Sequence, residues 1–151
     1  AKIAIIYTTI LFILIMVAST IFALLNMNNN KIIKGISIRN IDVSGLTVSE
    51  AKEKVQEKYG VNLKKDILLK YNDYETTVTP EQIDAEFNVE EAVEQAYEIG
   101  RKENIIKNNY KIINTMMNEI NIDLKFSYND EFLNIIMDDI SSKLPIETLS
   151  K

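Results

Sequence analysis

The chain has 151 residues, a net charge of −5 and no Cys, His or Trp. These absences exclude a thiolate nucleophile, an imidazole base, a disulfide and the usual zinc sites, and no cofactor is predicted. Nucleic acid is not expected as a partner, because binding a phosphate backbone needs clustered basic residues and the charge here is negative.

The first predicted element is a membrane-spanning helix over Ile3–Leu25, a run without a charged residue. At about 1.5 Å per residue this run is about 35 Å long, enough to cross a hydrocarbon core of about 30 Å. A buried helix of a soluble domain is rarely apolar over such a length. A cleaved signal peptide normally has a shorter apolar region followed by a small-x-small site, and Ile21, two positions before Ala23, fits that site poorly. We therefore expect the span to be retained.

A polar linker is predicted over residues 26–34, after which no second long apolar run appears, so the rest of the chain is expected to be soluble. Lys2 precedes the span, and Lys31 and Lys34 follow it. Positive charges on both sides leave the orientation undecided by charge.

Two short extended pieces are predicted within Gly35–Val43, with a break near Asn40. Thr47 and Glu50 then form a capping-box signature, which predicts a helix that runs through Tyr59 and stops at Gly60.

A hairpin is predicted next, from β-rich runs at 66–71 and 74–79 that flank Asn72-Asp73. A second capping box, Thr79 with Gln82 and with Pro80 at the first helical position, predicts one helical turn ending by Asp84. Asn88 is expected to cap a helix that stops at Gly100.

Helical spacing continues from Asn104 through Ile120, and the alternation of Ile122, Leu124 and Phe126 predicts one half-buried strand. Asn129 is expected to cap a last helix that reaches Leu144 and is ended by Pro145. The chain therefore reads as α+β: one N-terminal transmembrane helix, then a small domain of helices packed on antiparallel hairpin strands.

Acidic residues offer no catalytic pair. Glu90, Glu94 and Glu98 form one stripe on a predicted helix, which could attract a cation or a basic partner but is more typical of a solvated face. Hydrolysis by two carboxylates needs them about 5–9.5 Å apart with one raised pKa, and no spacing here indicates that. The chain is predicted not to be an enzyme and to hold no metal.

Three segments carry a family resemblance. They are GISIRNIDVSGLTVSEAKEKV, TVTPEQIDAEFNVEEAVEQAYEIGR and IDLKFSYNDEFLNIIMDDISSKL. They resemble the YoaR-like peptidoglycan-binding domain found N-terminal to VanW-like and L,D-transpeptidase domains of bacterial cell-envelope proteins. The resemblance covers 35–144, which is taken as the domain, and leaves 145–151 as a tail or the start of a continuation. Its most specific pieces are 43–47 and 97–101. Relatives usually have Gly-Asn after the second piece, whereas here Lys102-Glu103-Asn104 keeps the Asn alone.

The resemblance implies a non-catalytic domain outside the cell, with the N-terminus in the cytoplasm, the lipid bilayer contacted through Ile3–Leu25 and peptidoglycan or another wall glycan as ligand. The alternative is a structural or interaction domain that positions a C-terminal catalytic or partner domain at the interface between membrane and wall. Glycans usually bind exposed aromatic rings with hydrogen-bonding neighbours, although packing or capping is the commoner role of each such residue. The candidate ligand residues are Tyr71, Tyr74, Tyr97, Arg101 and Asn104.

Overall fold

The computed structural model describes residues 2–60 and 62–144. The fold is α+β with an N-terminal apolar helix, as predicted. The helices are α1 (Lys2–Met27), α2 (Val48–Gly60), α3 (Val89–Glu98), α4 (Ile105–Met117) and α5 (Asp130–Lys143). The strands are β1 (Ile36–Ile38), β2 (Ile41–Asp42), β3 (Ile67–Tyr71), β4 (Tyr74–Val78), β5 (Glu86–Phe87), β6 (Ile120–Ile122) and β7 (Phe126–Ser127).

The chain divides into two compact units. The first unit comprises Ala1–Glu53 and Glu90–Leu124, and the second comprises Lys54–Val89 and Lys125–Lys151. The domain boundary predicted at 35–144 stays a prediction. The residues from Pro145 onward, where the last helix was expected to end and the tail to follow, lie outside the described part of the chain.

Helix α1 is long and apolar enough to cross a membrane, and almost all of its surface is exposed. Within this helix Ala23 alone is buried. Such exposure does not fit the core helix of a soluble domain. Hydroxyl groups do not interrupt the helix, because Thr9 and Thr20 donate to carbonyls one turn earlier, at 2.8 and 2.9 Å.

The first unit contains a three-stranded sheet with the order β2-β1-β6. β1 and β2 form the predicted pair of short strands, and Arg39 and Asn40 have positive φ angles of 45° and 65° in the tight turn between them. β6 pairs with β1 in parallel, with Ile36 opposite Ile120. This parallel pair was not predicted from the sequence.

Helix α4 ends at Met117, so the prediction that it extends through Ile120 was wrong. Ile120 belongs to β6, where its N–H donates to the carbonyl of Gly35 at 2.7 Å. These residues form a strand and not a further helical turn, because pairing with β1 supplies hydrogen bonds to their backbone groups and places Ile122 among buried side chains. The core of this unit consists mainly of Ile32, Ile33, Ile36, Ile38, Val43, Val93, Ala96 and Ile112.

The second unit is built around the hairpin of β3 and β4, which has the predicted turn at Asn72-Asp73. The next element is the predicted single turn, a 3₁₀ helix over Pro80–Ile83. Both hydrogen bonds of the Thr79–Gln82 capping box are present, at 2.8 and 3.3 Å. A small hydrophobic core joins these elements to α5 through Val78, Ile83, Ile140, Tyr74, Leu133 and Ile136.

The single strand predicted from Ile122 to Phe126 is two separate strands. β6 contains Ile122 in the first unit, whereas β7 contains Phe126 in the second and pairs antiparallel with β5. The alternation of apolar residues continues across the gap, so the periodicity could not reveal that the chain changes partners.

Candidate functional site

Arg101 binds the backbone of the polar segment that follows α1. Its Nη1 donates to the carbonyl of Tyr97 at 2.6 Å, and its Nη2 lies 3.0 Å from the carbonyl oxygen of Asn26 and 2.6 Å from that of Lys31. Nη2 also lies 3.1 Å from the backbone and side-chain oxygens of Asn29. Because Asn26 is in the last turn of α1, the guanidinium neutralises the negative end of that helix.

The guanidinium of Arg101 also stacks on Tyr97, with its central carbon 4.2 Å from the ring centroid. Burial lowers the pKa of Arg101, and the neighbouring Tyr97 opposes that shift. A guanidinium is not deprotonated in proteins, so Arg101 keeps its charge. Tyr97 and Arg101 together therefore join the end of α3 to the linker.

Gly100 makes the turn before Arg101 possible. Its φ angle is +78°, and a Cβ atom at this position would lie 2.6 Å from Cγ1 of Ile112. Both the conformation and the close approach therefore require glycine.

Asn104 caps α4: its side-chain oxygen accepts a hydrogen bond from the Lys107 N–H at 3.0 Å. The neighbouring Glu103 forms ion pairs with Lys111 and Lys107. The hydrogen bond from Lys111 is the largest of the effects that lower the pKa of Glu103. Three of the candidate residues, Tyr97, Arg101 and Asn104, thus make structural contacts in the first unit.

Tyr71 and Tyr74 lie opposite each other at the end of the hairpin in the second unit. Tyr71 is 50% exposed. Tyr74 packs against the core formed by Val78, Ile83 and Ile140. The hairpin therefore offers the ring of Tyr71 to a ligand more readily than that of Tyr74.

A row of four aromatic rings in the second unit was missed by the sequence reasoning. Ring centroids are separated by 5.5 Å between Tyr59 and Phe87, 5.3 Å between Phe87 and Phe126, and 6.0 Å between Phe126 and Tyr128. Phe126 is 48% and Tyr128 45% exposed. We call these four residues the aromatic row. The spacing of Phe126 and Tyr128 by two was its one local signal, since such residues share a strand face.

The acidic stripe of α3 is partly paired. Glu90 forms an ion pair with Lys52, which lowers the pKa of Glu90, and Glu98 forms an ion pair with Lys102. Among residues 2–60 and 62–144, no group of three or more acidic side chains is placed to hold a metal ion.

The described residues therefore include an apolar N-terminal helix that packs on α4 in the first unit, and exposed aromatic rings in the second unit. The sequence model of the family described as "Putative peptidoglycan binding domain" matches residues 76–148, just under half of the chain. The expected resemblance to a peptidoglycan-binding domain is confirmed over this range. No curated protein and no solved structure is significantly similar to the chain.

The matched range includes Phe87, Phe126 and Tyr128 of the aromatic row. It also includes the candidate residues Tyr97, Arg101 and Asn104, whereas Tyr71 and Tyr74 precede it.

Proposed function

We propose that this chain is a membrane-anchored, extracytoplasmic cell-envelope protein whose non-catalytic domain binds peptidoglycan. The observation that carries the proposal is the family match over residues 76–148. The resemblance of residues 35–144 to the YoaR-like region of VanW-family proteins supports the same function and extends it to the preceding residues.

The aromatic row supports a glycan ligand. Sugar rings present C–H groups on one face and hydroxyl groups at the edge, so proteins bind them on exposed aromatic faces beside polar groups. Phe126 and Tyr128 supply such faces. The polar residues next to these rings in the sequence are Ser127, which lies between them, and Asn129, whose side chain caps α5. Tyr71 is a further exposed ring of the same unit and stays a candidate.

The contacts of α1 support a retained anchor over a cleaved signal peptide. Ala23 is completely buried, and the hydroxyl of Ser19 accepts a hydrogen bond from Asn109 of α4. Cleavage after Ala23 would remove both residues and with them most of the contact between α1 and α4.

The proposed ligand implies the orientation of the chain across the membrane. A domain that binds the wall must lie outside the cell, and the N-terminus must then be cytoplasmic. The chain has no Cys, so single cysteines can report it. In intact cells, a membrane-impermeant maleimide should label Asp73→Cys in the exposed hairpin turn and leave Lys2→Cys unlabelled. Labelling of Lys2→Cys alone would contradict the proposal.

Retention on insoluble peptidoglycan tests the ligand. The full chain in mild detergent should sediment with purified peptidoglycan, and the double variant Phe126→Ala, Tyr128→Ala should lose most of that retention. Tyr128→Phe should keep it, because the ring face remains. Phe132→Ala is the matched control, since Phe132 is an exposed aromatic of the same unit outside the aromatic row.

Absence of retention for the unsubstituted chain would overturn the proposal and favour the alternative, a domain that positions a catalytic or partner domain. Equal loss for Phe132→Ala would instead show that the binding is unspecific.

A further inference from the structure

Helix α4 exposes large apolar side chains on the surface of the first unit. Four large side chains lie along one line of the helix, since they are spaced by four, three and four positions. Their exposed fractions are 75% for Ile106, 70% for Tyr110, 43% for Ile113 and 77% for Met117. The opposite face of α4 buries Asn108, Ile112 and Thr115, of which two are polar. We call the four exposed residues the α4 stripe.

The same helix packs against the last turns of α1. Asn109 donates a hydrogen bond to the hydroxyl of Ser19, and Nδ2 of Asn108 lies 3.6 Å from the sulfur of Met27. Ala23, midway between Ser19 and Met27 along α1, is completely buried. The contact surface of α1 thus runs along one side from Ser19 to Met27.

Asn109 connects this contact to the α4 stripe, because it lies one turn from both Ile106 and Ile113 on the surface of α4. The stripe therefore begins at the edge of the helix face that touches α1. The rest of α1 exposes a continuous apolar surface, with Leu11, Phe12 and Leu14 each more than half exposed.

The position of Ser19 sets the depth of α4. Ser19 lies within the uncharged run Ile3–Leu25, about 9 Å from its end at 1.5 Å per residue. When α1 crosses the bilayer, Ser19 therefore lies about 6–9 Å below the boundary between hydrocarbon and headgroups, and the apolar face of an interfacial helix is buried about 5–10 Å into that layer. In that layer an amphipathic helix is stable with its apolar face toward lipid.

We propose that α4 is an interfacial helix whose stripe, Ile106, Tyr110, Ile113 and Met117, is buried in the lipid of the leaflet from which α1 emerges. The proposal rests on the anchoring role proposed for α1. Tyr110 suits this position because its ring can lie among acyl chains while its hydroxyl reaches the headgroups. Lys107 and Lys111 lie outside the stripe, where long side chains can extend toward water.

Single spin labels on the full chain, reconstituted in phosphatidylcholine and phosphatidylglycerol vesicles, test this placement. Nitroxides are attached to Ile106→Cys, Tyr110→Cys and Met117→Cys in the stripe, to Lys111→Cys as the water-facing control and to Leu11→Cys in the anchor. Collision with oxygen reports lipid, and collision with a water-soluble nickel chelate reports water. We expect several-fold less collision with the chelate at the stripe than at Lys111→Cys.

Collision with the chelate at the stripe, together with a deep label at Leu11→Cys, would overturn the interfacial helix and leave the anchor intact. Collision with the chelate at Leu11→Cys would overturn the anchor and the inference with it. Shielding of the stripe from both reagents, with dipolar broadening between chains, would show a second copy on the stripe and would also overturn the inference.

Tryptophan fluorescence is a second probe, which tests the same placement without an attached spin label that could disturb the fold. The chain has no Trp, so Tyr110→Trp introduces a single tryptophan, which can be excited without tyrosine and keeps an aromatic ring in the stripe. Brominated lipids should quench it, with a blue-shifted emission. Unquenched emission at a water-like wavelength would contradict the proposal.

Discussion

Arg101 is the residue on which the linker after α1 depends. A single guanidinium contacts backbone oxygens of Asn26, Asn29 and Lys31, 70 to 75 positions earlier in the chain, and stacks on Tyr97. The planar group can donate in several directions at once, which an ammonium cannot do. The segment predicted as a polar linker is therefore fixed to α3 at its start.

Replacing Arg101 by lysine should destabilise the first unit by about 2 kcal/mol, because some of these carbonyls lose a charged donor. Thermal unfolding of the full chain in detergent measures the loss, and amide exchange should rise specifically over residues 26–31. Arg39→Lys is the matched control, since Arg39 is the other arginine of the chain and is exposed. Equal effects of the two substitutions would contradict the role given to Arg101.

The ion pairs of Glu103 predict that the stability of the fold depends on pH. Its pKa is lowered in the folded state, first by its hydrogen bond with Lys111. A lowered carboxyl pKa stabilises the fold at pH values above the ordinary pKa of glutamate, about 4.3, and this contribution is lost as the pH falls through the folded-state pKa. Acid unfolding of Glu103→Gln should therefore be less steep than that of the unsubstituted chain, and salt at about 1 M should shrink the difference. An unchanged profile would contradict the ion pairs.

At the scale of elements, the helix starts were predictable because capping signals are local. Thr47 with Glu50, Thr79 with Gln82, and Asn129 each form the predicted cap within a few residues. Asn104, from which helical spacing was predicted, caps α4 in the same way. The end of α4 and the parallel pairing of β1 with β6 were not predictable, because they depend on a strand far away in the sequence. Local periodicity does not specify such a partner.

The capping box of α2 gives a prediction at this scale. The Thr47 hydroxyl accepts from the Glu50 N–H at 3.3 Å, and the Thr47 N–H donates to the Glu50 carboxylate at 2.8 Å. Thr47→Ala should lower stability by about 1 kcal/mol, while Thr47→Ser should retain most of it. Ser49→Ala, at an exposed site in the same turn, is the control for thermal unfolding. An equal loss at Ser49 would contradict the cap.

The packing between α1 and α4 gives a second prediction about the elements. Ala23→Leu inserts a larger side chain at a completely buried site and should cost about 1–3 kcal/mol. Ala18→Leu adds the same atoms to an exposed position of α1 and should be close to neutral. Unfolding of both variants in detergent measures the difference. Tolerance of leucine at Ala23 would contradict the contact between the two helices.

At the scale of the whole molecule, the sequence was sufficient for the class of fold, the apolar helix and the kind of domain. The candidate ligand residues were chosen as aromatic or polar residues near element ends, and those are also the residues that caps and turns employ. Tyr97, Arg101 and Asn104 have such structural contacts. The aromatic row escaped prediction because it assembles only when β5 pairs with β7 and Tyr59 of α2 packs on Phe87.

The most direct test of a membrane-anchored domain that binds the wall joins both properties in one measurement. Vesicles that contain the full chain and a fluorescent lipid are mixed with insoluble peptidoglycan and centrifuged at a speed that sediments peptidoglycan alone. We expect the lipid fluorescence to sediment with the peptidoglycan, and the double variant Phe126→Ala, Tyr128→Ala to abolish this sedimentation. Fluorescence that stays in the supernatant, although the chain is shown to be in the vesicles with its domain outside, would contradict it.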